Sequence, residues 1–166
     1  RDVANRFNHL IGETLDAPQA KIQEHTKLVP GTDGGKMSKS RNNTINIFLS
    51  DKKLRKQIMG IKTDSLALED VKNPDTDTIF ALYKLMASPS ETAEMHANYL
   101  AGNYGYGHAK QALYELIITK FATIRARYTH FMDNKNEIDD ALAIGKQKAK
   151  KVATTVLQKV RTKVGY

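Results

Sequence analysis

Asp33-Gly34-Gly35-Lys36-Met37-Ser38-Lys39-Ser40 is the stretch on which the reading of this chain turns. Two adjacent glycines free the backbone to take φ > 0 and to approach a ligand closely. Two lysines then flank a small hydroxyl, and a second hydroxyl follows. Each lysine is a compact point charge, and serine hydroxyls and backbone N–H groups donate to phosphate oxygens. Such a strip suits a polyphosphate and is expected to be mobile from Gly34 to Ser40 when nothing is bound. It is not a P-loop, which needs G-x-x-x-x-G-K-[ST]. Here Gly31 to Gly35 is one residue short, and Met37 stands where Ser or Thr must be. A lone K-x-x-K would be a solvated basic turn; the full run after Gly-Gly is far more specific.

Outward from the loop, Pro30-Gly31 opens it with a turn signal and Asn42-Asn43 closes it. On the N-terminal side, residues 20–30 hold Ile22, His25, Leu28 and Val29 and fit at most an edge strand. Before them, Val3, Phe7, Leu10 and Ile11 fall on one face of a helix spanning residues 1 to about 14, with Gly12 as its break. That helix starts at the first residue without a capping signal, and no initiator methionine precedes it, so a piece of a longer protein is expected.

On the C-terminal side, Thr44–Phe48 alternates and fits a brief extended segment. Ser50 caps a basic helix over 51–59, with Leu54 and Ile58 inward and Lys52, Lys53, Arg55 and Lys56 outward. Residues 60–75 are irregular. Asp75 or Thr76 then caps a helix to about Met86, with Ile79, Leu82, Tyr83 and Met86 on one face. Ser88-Pro89-Ser90-Glu91 is a capping box with Pro at the first helical position. The helix it starts carries Met95 and Tyr99 and ends near Gly102. After Asn103-Tyr104-Gly105-Tyr106-Gly107, a single helix is predicted from about His108 to Met132, on the stripe Leu113, Ile117, Phe121, Ile124, Tyr128 and Phe131. A last helix over 137–163 has Ile138, Leu142, Ala149, Val152, Val156, Val160 and Val164 as its expected buried face, with Gly145 and Ala149 admitting another helix and Gly165 as the stop. The class is mainly α: a bundle of four or five helices with mostly short connections. The stripe tyrosines Tyr83, Tyr99, Tyr114 and Tyr128 are read as packing residues before stacking platforms.

Composition narrows the partners. A hydrophobic content of 40% supports a core, cysteine is absent, and the histidines show no metal-ligand spacing, so no metal site is expected. No apolar run approaches the ~20 residues that span a bilayer, and the cytoplasm is the expected compartment. The net charge is +8, which points to an anionic partner. It is concentrated in two zones. One runs from Lys36 to Lys62 with Asp51 as its single acid; the other follows Asp140 with no acid at all.

Lys36-Met37-Ser38-Lys39-Ser40 matches the KMSKS signature of class I aminoacyl-tRNA synthetases letter for letter. The longer run Pro30 to Ile45 resembles the signature loop of the tryptophanyl-tRNA synthetases. Ala4 to Asn8, Tyr104 to Lys110, Ile124 to Tyr128 and the closing Val160 to Gly165 resemble further segments of that family, in order along the chain. The resemblance implies ATP-dependent activation of L-tryptophan and its transfer to tRNA. ATP enters as substrate with Mg2+, and no tightly bound cofactor is implied. Lys36 and Lys39 would be catalytic, and ATP would be held by Lys36, Met37, Ser38, Lys39 and Ser40. Arg125, Arg127, Tyr128 and His130 are candidates for tRNA contact, with Arg127 equally readable as a structural ion-pair residue and Tyr128 as part of the core stripe, and the complete protein would be a homodimer.

The family's HIGH motif does not occur here, so the chain resembles the C-terminal half. On that reading residues 1–48 are the remnant of a Rossmann-type nucleotide-binding domain, and 49–166 form a helical, anticodon-binding-like domain. The chain alone would then be inactive. Gly35 departs from the many members that carry a basic residue there. A tyrosyl enzyme and a stand-alone basic RNA-binding module stay open beside the tryptophan reading.

Overall fold

The computed structural model describes residues 1–22 and 28–166. Among them are seven α-helices and no strand. They are α1 (Asp2–Ile11), α2 (Asp51–Met59), α3 (Thr78–Lys84), α4 (Pro89–Ala101), α5 (Tyr106–Lys120), α6 (Ala122–Asp133) and α7 (Lys135–Val164). The one isolated β-bridge described joins Pro30 and Lys36. Part of the edge strand expected over 20–30 lies outside the described residues, and Thr44–Asn46 is irregular rather than strand. No described helix is long and apolar enough to cross a membrane. The chain divides into two compact units, Gln23–Thr129 and Arg1–Ile22 with His130–Tyr166.

The Gln23–Thr129 unit holds the core. Leu54 and Ile58 of α2, Ile79 and Leu82 of α3, Met95 and Tyr99 of α4, and Leu113 and Ile117 of α5 are all buried, and α5 packs against both α2 and α3. The apolar positions recur at three- and four-residue spacing, which is why each helix offers a single face to this core. On α2 the basic residues Lys52, Lys53, Arg55 and Lys56 stay exposed, as their spacing requires.

Two helix starts show how local chemistry and packing share control. At α4 the capping box forms as its sequence predicts. The Ser88 N–H donates to Glu91 Oε2 at 2.7 Å, and the Glu91 N–H donates back to Ser88 Oγ at 3.3 Å. The Ser88 hydroxyl, which donates to Glu91 Oε2 at 2.7 Å, and after it the Ser88 amide hold the Glu91 carboxyl below the ordinary carboxylate range. At α3 the cap is Asp77, not the expected Asp75 or Thr76. Its Oδ1 accepts the Phe80 N–H at 2.8 Å and also the hydroxyl of buried Tyr99 at 2.8 Å. The tertiary bond from Tyr99 selects among neighbouring capping candidates.

The helix predicted from His108 to Met132 is two helices. The chain leaves helical geometry at Phe121 (φ −101°, ψ 9°), where the ring packs against the core. Beyond it the stripe changes character: Ile124 and Tyr128 are exposed.

Residues 67–72 are tied onto the bundle by a buried lysine. Lys72 Nζ donates to the carbonyls of Ala67 (2.9 Å), Leu68 (3.3 Å) and Asp70 (2.9 Å) and lies 5.3 Å from the centre of the Tyr106 ring. Three carbonyls and a π-face replace the water that a buried ammonium would otherwise lose.

In the other unit, Asn8 closes the turn after α1. Its Oδ1 accepts from the Thr14 and Leu15 amides, and its Nδ2 donates to the Leu15 carbonyl. The expected burial of the α7 stripe is not found: Leu142 is 64% exposed, no residue of α7 is buried, and a Cβ on Gly145 would meet nothing within 4 Å. Periodicity marks the face a helix would bury; burial needs a second element over that face, and none of the described residues supplies it. Gly165 does end α7 in the left-handed region, at φ 88°.

Candidate functional site

The loop from Pro30 to Asn43 is a tightly hydrogen-bonded turn rather than the loose strip its glycines suggest. The Gly31 N–H donates to the Gly35 carbonyl at 2.7 Å, and the Gly34 N–H to the Gly31 carbonyl at 3.0 Å. Gly34 needs its φ of +81°, which a side chain would strain. The base of the loop is anchored three times. The Met37 amide reaches the Val29 carbonyl (2.9 Å), Thr32 reaches Asn43 (2.9 Å), and Lys62 reaches Thr32 (2.8 Å).

Lys36 leaves the turn with its side chain exposed, and Ser38 is extended (φ −156°, ψ 140°). Lys39–Arg41 is a single 3₁₀ turn, closed by Asn42 in the left-handed region at φ 52°. The hydroxyls of Ser38 and Ser40 are 2.8 Å apart. Lys36, Met37, Ser38, Lys39 and Ser40 are thus brought together on one short ribbon, with both lysines exposed and Met37 half-buried. Arg41 folds back so that its guanidinium stands 2.6 Å from where a Cβ of Gly35 would be. The arginine supplies a cation over the position that lacks a side chain.

Asn43, buried to 2% exposure, is the hub that the pattern of lysines and glycines did not reveal. Its Nδ2 donates to Asp33 Oδ1 at 2.7 Å and to the Lys36 carbonyl at 3.1 Å, and its Oδ1 accepts the Ser38 N–H at 2.8 Å. Asp33 Oδ1 also takes the Gly35 N–H at 3.0 Å. The hydrogen bond from Asn43 is the main cause that holds the Asp33 carboxyl below its ordinary value, with the Gly35 amide and Arg41 adding to it. Gly31 is glycine because the Asn43 carboxamide fills the space a Cβ would need, at 2.3 Å.

Downstream, the segment 44–51 is clamped from two helices. Gln57 of α2 donates to the Thr44 carbonyl (2.6 Å) and accepts the Asn46 N–H (3.0 Å). Arg125 of α6 donates to the Ile47 carbonyl and to Asp51 Oδ1, and its side chain is only 17% exposed. Tyr128, one helical turn on, stacks on Phe48 with ring centres 4.4 Å apart. Two of the four residues considered for tRNA contact are therefore engaged with this segment. Arg127 is exposed, and His130, in the other unit, has Nε2 3.0 Å from the Glu137 carboxylate. The adjacent Asn42-Asn43 pair was the one sequence signal for the hub, since asparagine tolerates αL and bonds nearby backbone.

A cationic KMSKS ribbon, folded on its own hydrogen-bonded base and followed by a helical core, defines a class I aminoacyl-tRNA synthetase. The chain belongs to that family: residues 1–122 match the tRNA synthetases of class I (W and Y). Within it, the similarity is to the tryptophan enzymes. The chain is 45% identical over 165 residues to the tryptophan–tRNA ligase of Rhodopirellula baltica, with 99% of the chain and 52% of that protein covered. It is 41% identical to the tryptophan–tRNA ligase of Campylobacter jejuni over the same shares. The crystal structure of tryptophanyl-tRNA synthetase from Campylobacter jejuni complexed with ADP and tryptophan superposes with a TM-score of 0.84 at 41% identity, covering 100% of this chain and 52% of that one. The chain spans about half the length of the curated relatives it matches.

Proposed function

We propose that this chain is the C-terminal part of a tryptophan–tRNA ligase and carries its KMSKS loop. The observation behind this reading is the folded Lys36–Ser40 ribbon within a chain that is similar, over nearly its whole length, to named tryptophan–tRNA ligases. Residues 1–48 would complete the nucleotide-binding domain, of Rossmann type, and 49–166 would form the tRNA-binding helical domain. The protein would work in the cytoplasm as a homodimer.

In the proposed reaction the tryptophan carboxylate attacks the α-phosphorus of Mg2+-bound ATP. The bond from that phosphorus to the bridging oxygen breaks, and pyrophosphate leaves with growing negative charge. Tryptophanyl-adenylate remains, and a terminal tRNA hydroxyl then displaces AMP from its carbonyl. Lys36 and Lys39 would hold the β- and γ-phosphates more tightly as that charge grows, which lowers the barrier rather than merely tightening binding. The Ser38 and Ser40 hydroxyls would donate to phosphate oxygens, and Met37 would meet the adenine edge through its backbone. Arg127 and the lysines of α7 would engage the tRNA backbone, a salt-sensitive contact. The geometry gives Arg125 and Tyr128 a share in holding segment 44–51, beside any contact with tRNA.

The test is ATP–pyrophosphate exchange by the full-length protein. Exchange is expected with tryptophan and not with tyrosine, and the isolated chain is expected to show none. Lys39→Ala should slow exchange by about 10²- to 10³-fold, the usual cost of one transition-state donor. Exchange with tyrosine alone, or a normal rate in Lys39→Ala, would overturn the reading.

A further inference from the structure

We propose that Asn43 is the positioning residue of the phosphate-binding ribbon, setting where Lys36 and Ser38 sit without itself touching the nucleotide. The inference rests on the function proposed above.

The argument is one of geometry. In the ribbon from Lys36 to Ser40 both lysines are exposed, and none of the described residues buries them. What sets its course is backbone, and the two backbone groups that bracket Met37 both end on one buried side chain. The Lys36 carbonyl accepts from Asn43 Nδ2, and the Ser38 amide donates to Asn43 Oδ1. A carboxamide offers a donor and an acceptor on one carbon and in one plane, where an ionised carboxylate only accepts. Asn43 uses both to fix the direction in which the chain leaves Lys36 and enters Ser38.

Its second Nδ2 bond ties the same group to Asp33, whose carboxylate also holds the Gly35 amide. Both sides of the turn are thereby referred to a single point. The Asn43 side chain is itself buried, at 2% exposure, and the Asn43 carbonyl, bonded to Thr32, anchors the point to the loop base.

The chemistry of the pair predicts an order among variants. Asn43→Ala removes the bracket. Asn43→Asp keeps the size and an acceptor for Ser38, but loses the donor to Lys36 and sets a second carboxylate at hydrogen-bond distance from Asp33. It should be worse than alanine. Asp33→Asn in the Asn43→Asp background restores a donor–acceptor pair with its polarity reversed and should recover part of the loss.

The experiment is ATP–pyrophosphate exchange in the full-length protein, with KM for ATP and for tryptophan measured separately. Equilibrium binding of tryptophan serves as the control for fold. Asn43→Ala is expected to lower kcat/KM for ATP by about 100-fold, the scale of a displaced catalytic group, with tryptophan affinity within about twofold. Adding Asp33→Asn to Asn43→Asp is expected to regain about tenfold. An active unsubstituted protein whose Asn43→Ala variant keeps its kcat/KM for ATP, or loses ATP and tryptophan binding together, overturns the positioning role alone. An inactive unsubstituted protein overturns the proposed function and this role with it.

Discussion

Gly31→Ala puts one methyl group where the loop has no room for it. The new Cβ would stand 2.3 Å from Asn43 Nδ2, 2.4 Å from its Cγ and 2.7 Å from its backbone oxygen. Swinging the Asn43 side chain out relieves the first two contacts and breaks its bonds to Asp33, Lys36 and Ser38. Each such bond contributes about 0.5–1.5 kcal/mol net. The low end applies because the partners sit near water, which makes about 1.5 kcal/mol together. The third contact is with backbone that accepts the Thr32 amide, so the base of the loop must shift as well. Forced shifts of this kind cost about 1–3 kcal/mol.

The total, roughly 2.5–4.5 kcal/mol, falls on opening of the loop and not on unfolding of the α2–α5 core, which Gly31 does not join. At about 1.4 kcal/mol per tenfold, hydrogen exchange at the Ser38 and Thr32 amides should accelerate by roughly 10²- to 10³-fold. The amides of Leu113 and Ile117 should keep their protection. Residue-resolved exchange on the chain by NMR measures both. Ser38 exchange within threefold of the unsubstituted chain would refute the steric argument. Equal acceleration at Leu113 would show that loop and core open as one unit, contrary to the partition assumed.

Two further outcomes follow from the core. Tyr99→Phe removes a buried hydroxyl's bond to Asp77 yet leaves Asp77 capping α3, so urea unfolding should show a loss of about 1.5–3 kcal/mol, the range for a bond to a charged group. Asp77→Ala should cost more, since it removes the cap (about 1 kcal/mol) and strands the Tyr99 hydroxyl; the reverse order would refute this account. Burial raises Tyr83, Tyr99, Tyr104 and Tyr106 above the ordinary phenol value, with nearby carboxylates adding to it. A raised folded value means the native state keeps its protons while the unfolded chain gives them up. That stability is complete below pH ~10 and drains away as pH rises further. Lys110, whose ammonium burial pushes down, acts with the opposite sign as a single group against four. Ionisation of these four rings, followed residue by residue by NMR, should therefore accompany the loss of helical circular dichroism. Ionisation of these four in a chain that keeps its full helix content would contradict their burial.

Much of this protein was legible before any coordinates. The KMSKS run was legible as a resemblance: its five residues match the signature of the family to which the chain belongs. The Ser88–Glu91 box was legible because a capping box is closed by residues three apart, and α2 because its faces differ so sharply in charge. These are local interactions, complete within a turn or two of chain, so the sequence states them outright.

What depended on partners distant in sequence was not legible. The α3 start shifted to Asp77 because Tyr99, in the next helix, supplies a second bond. The long helix broke at Phe121, where the ring turns to the core. The stripe of α7 reads as buried and is largely exposed, since a stripe does not say what covers it. Arg125 and Tyr128 were candidates for tRNA contact; that they also hold segment 44–51 depended on the tertiary structure.

The loop itself divides along the same line. Sequence determined which charged and hydroxyl groups it carries. Only the tertiary structure decided their presentation, because the group that directs them, Asn43, is a neutral side chain whose role exists only once Asp33, Lys36 and Ser38 have folded around it.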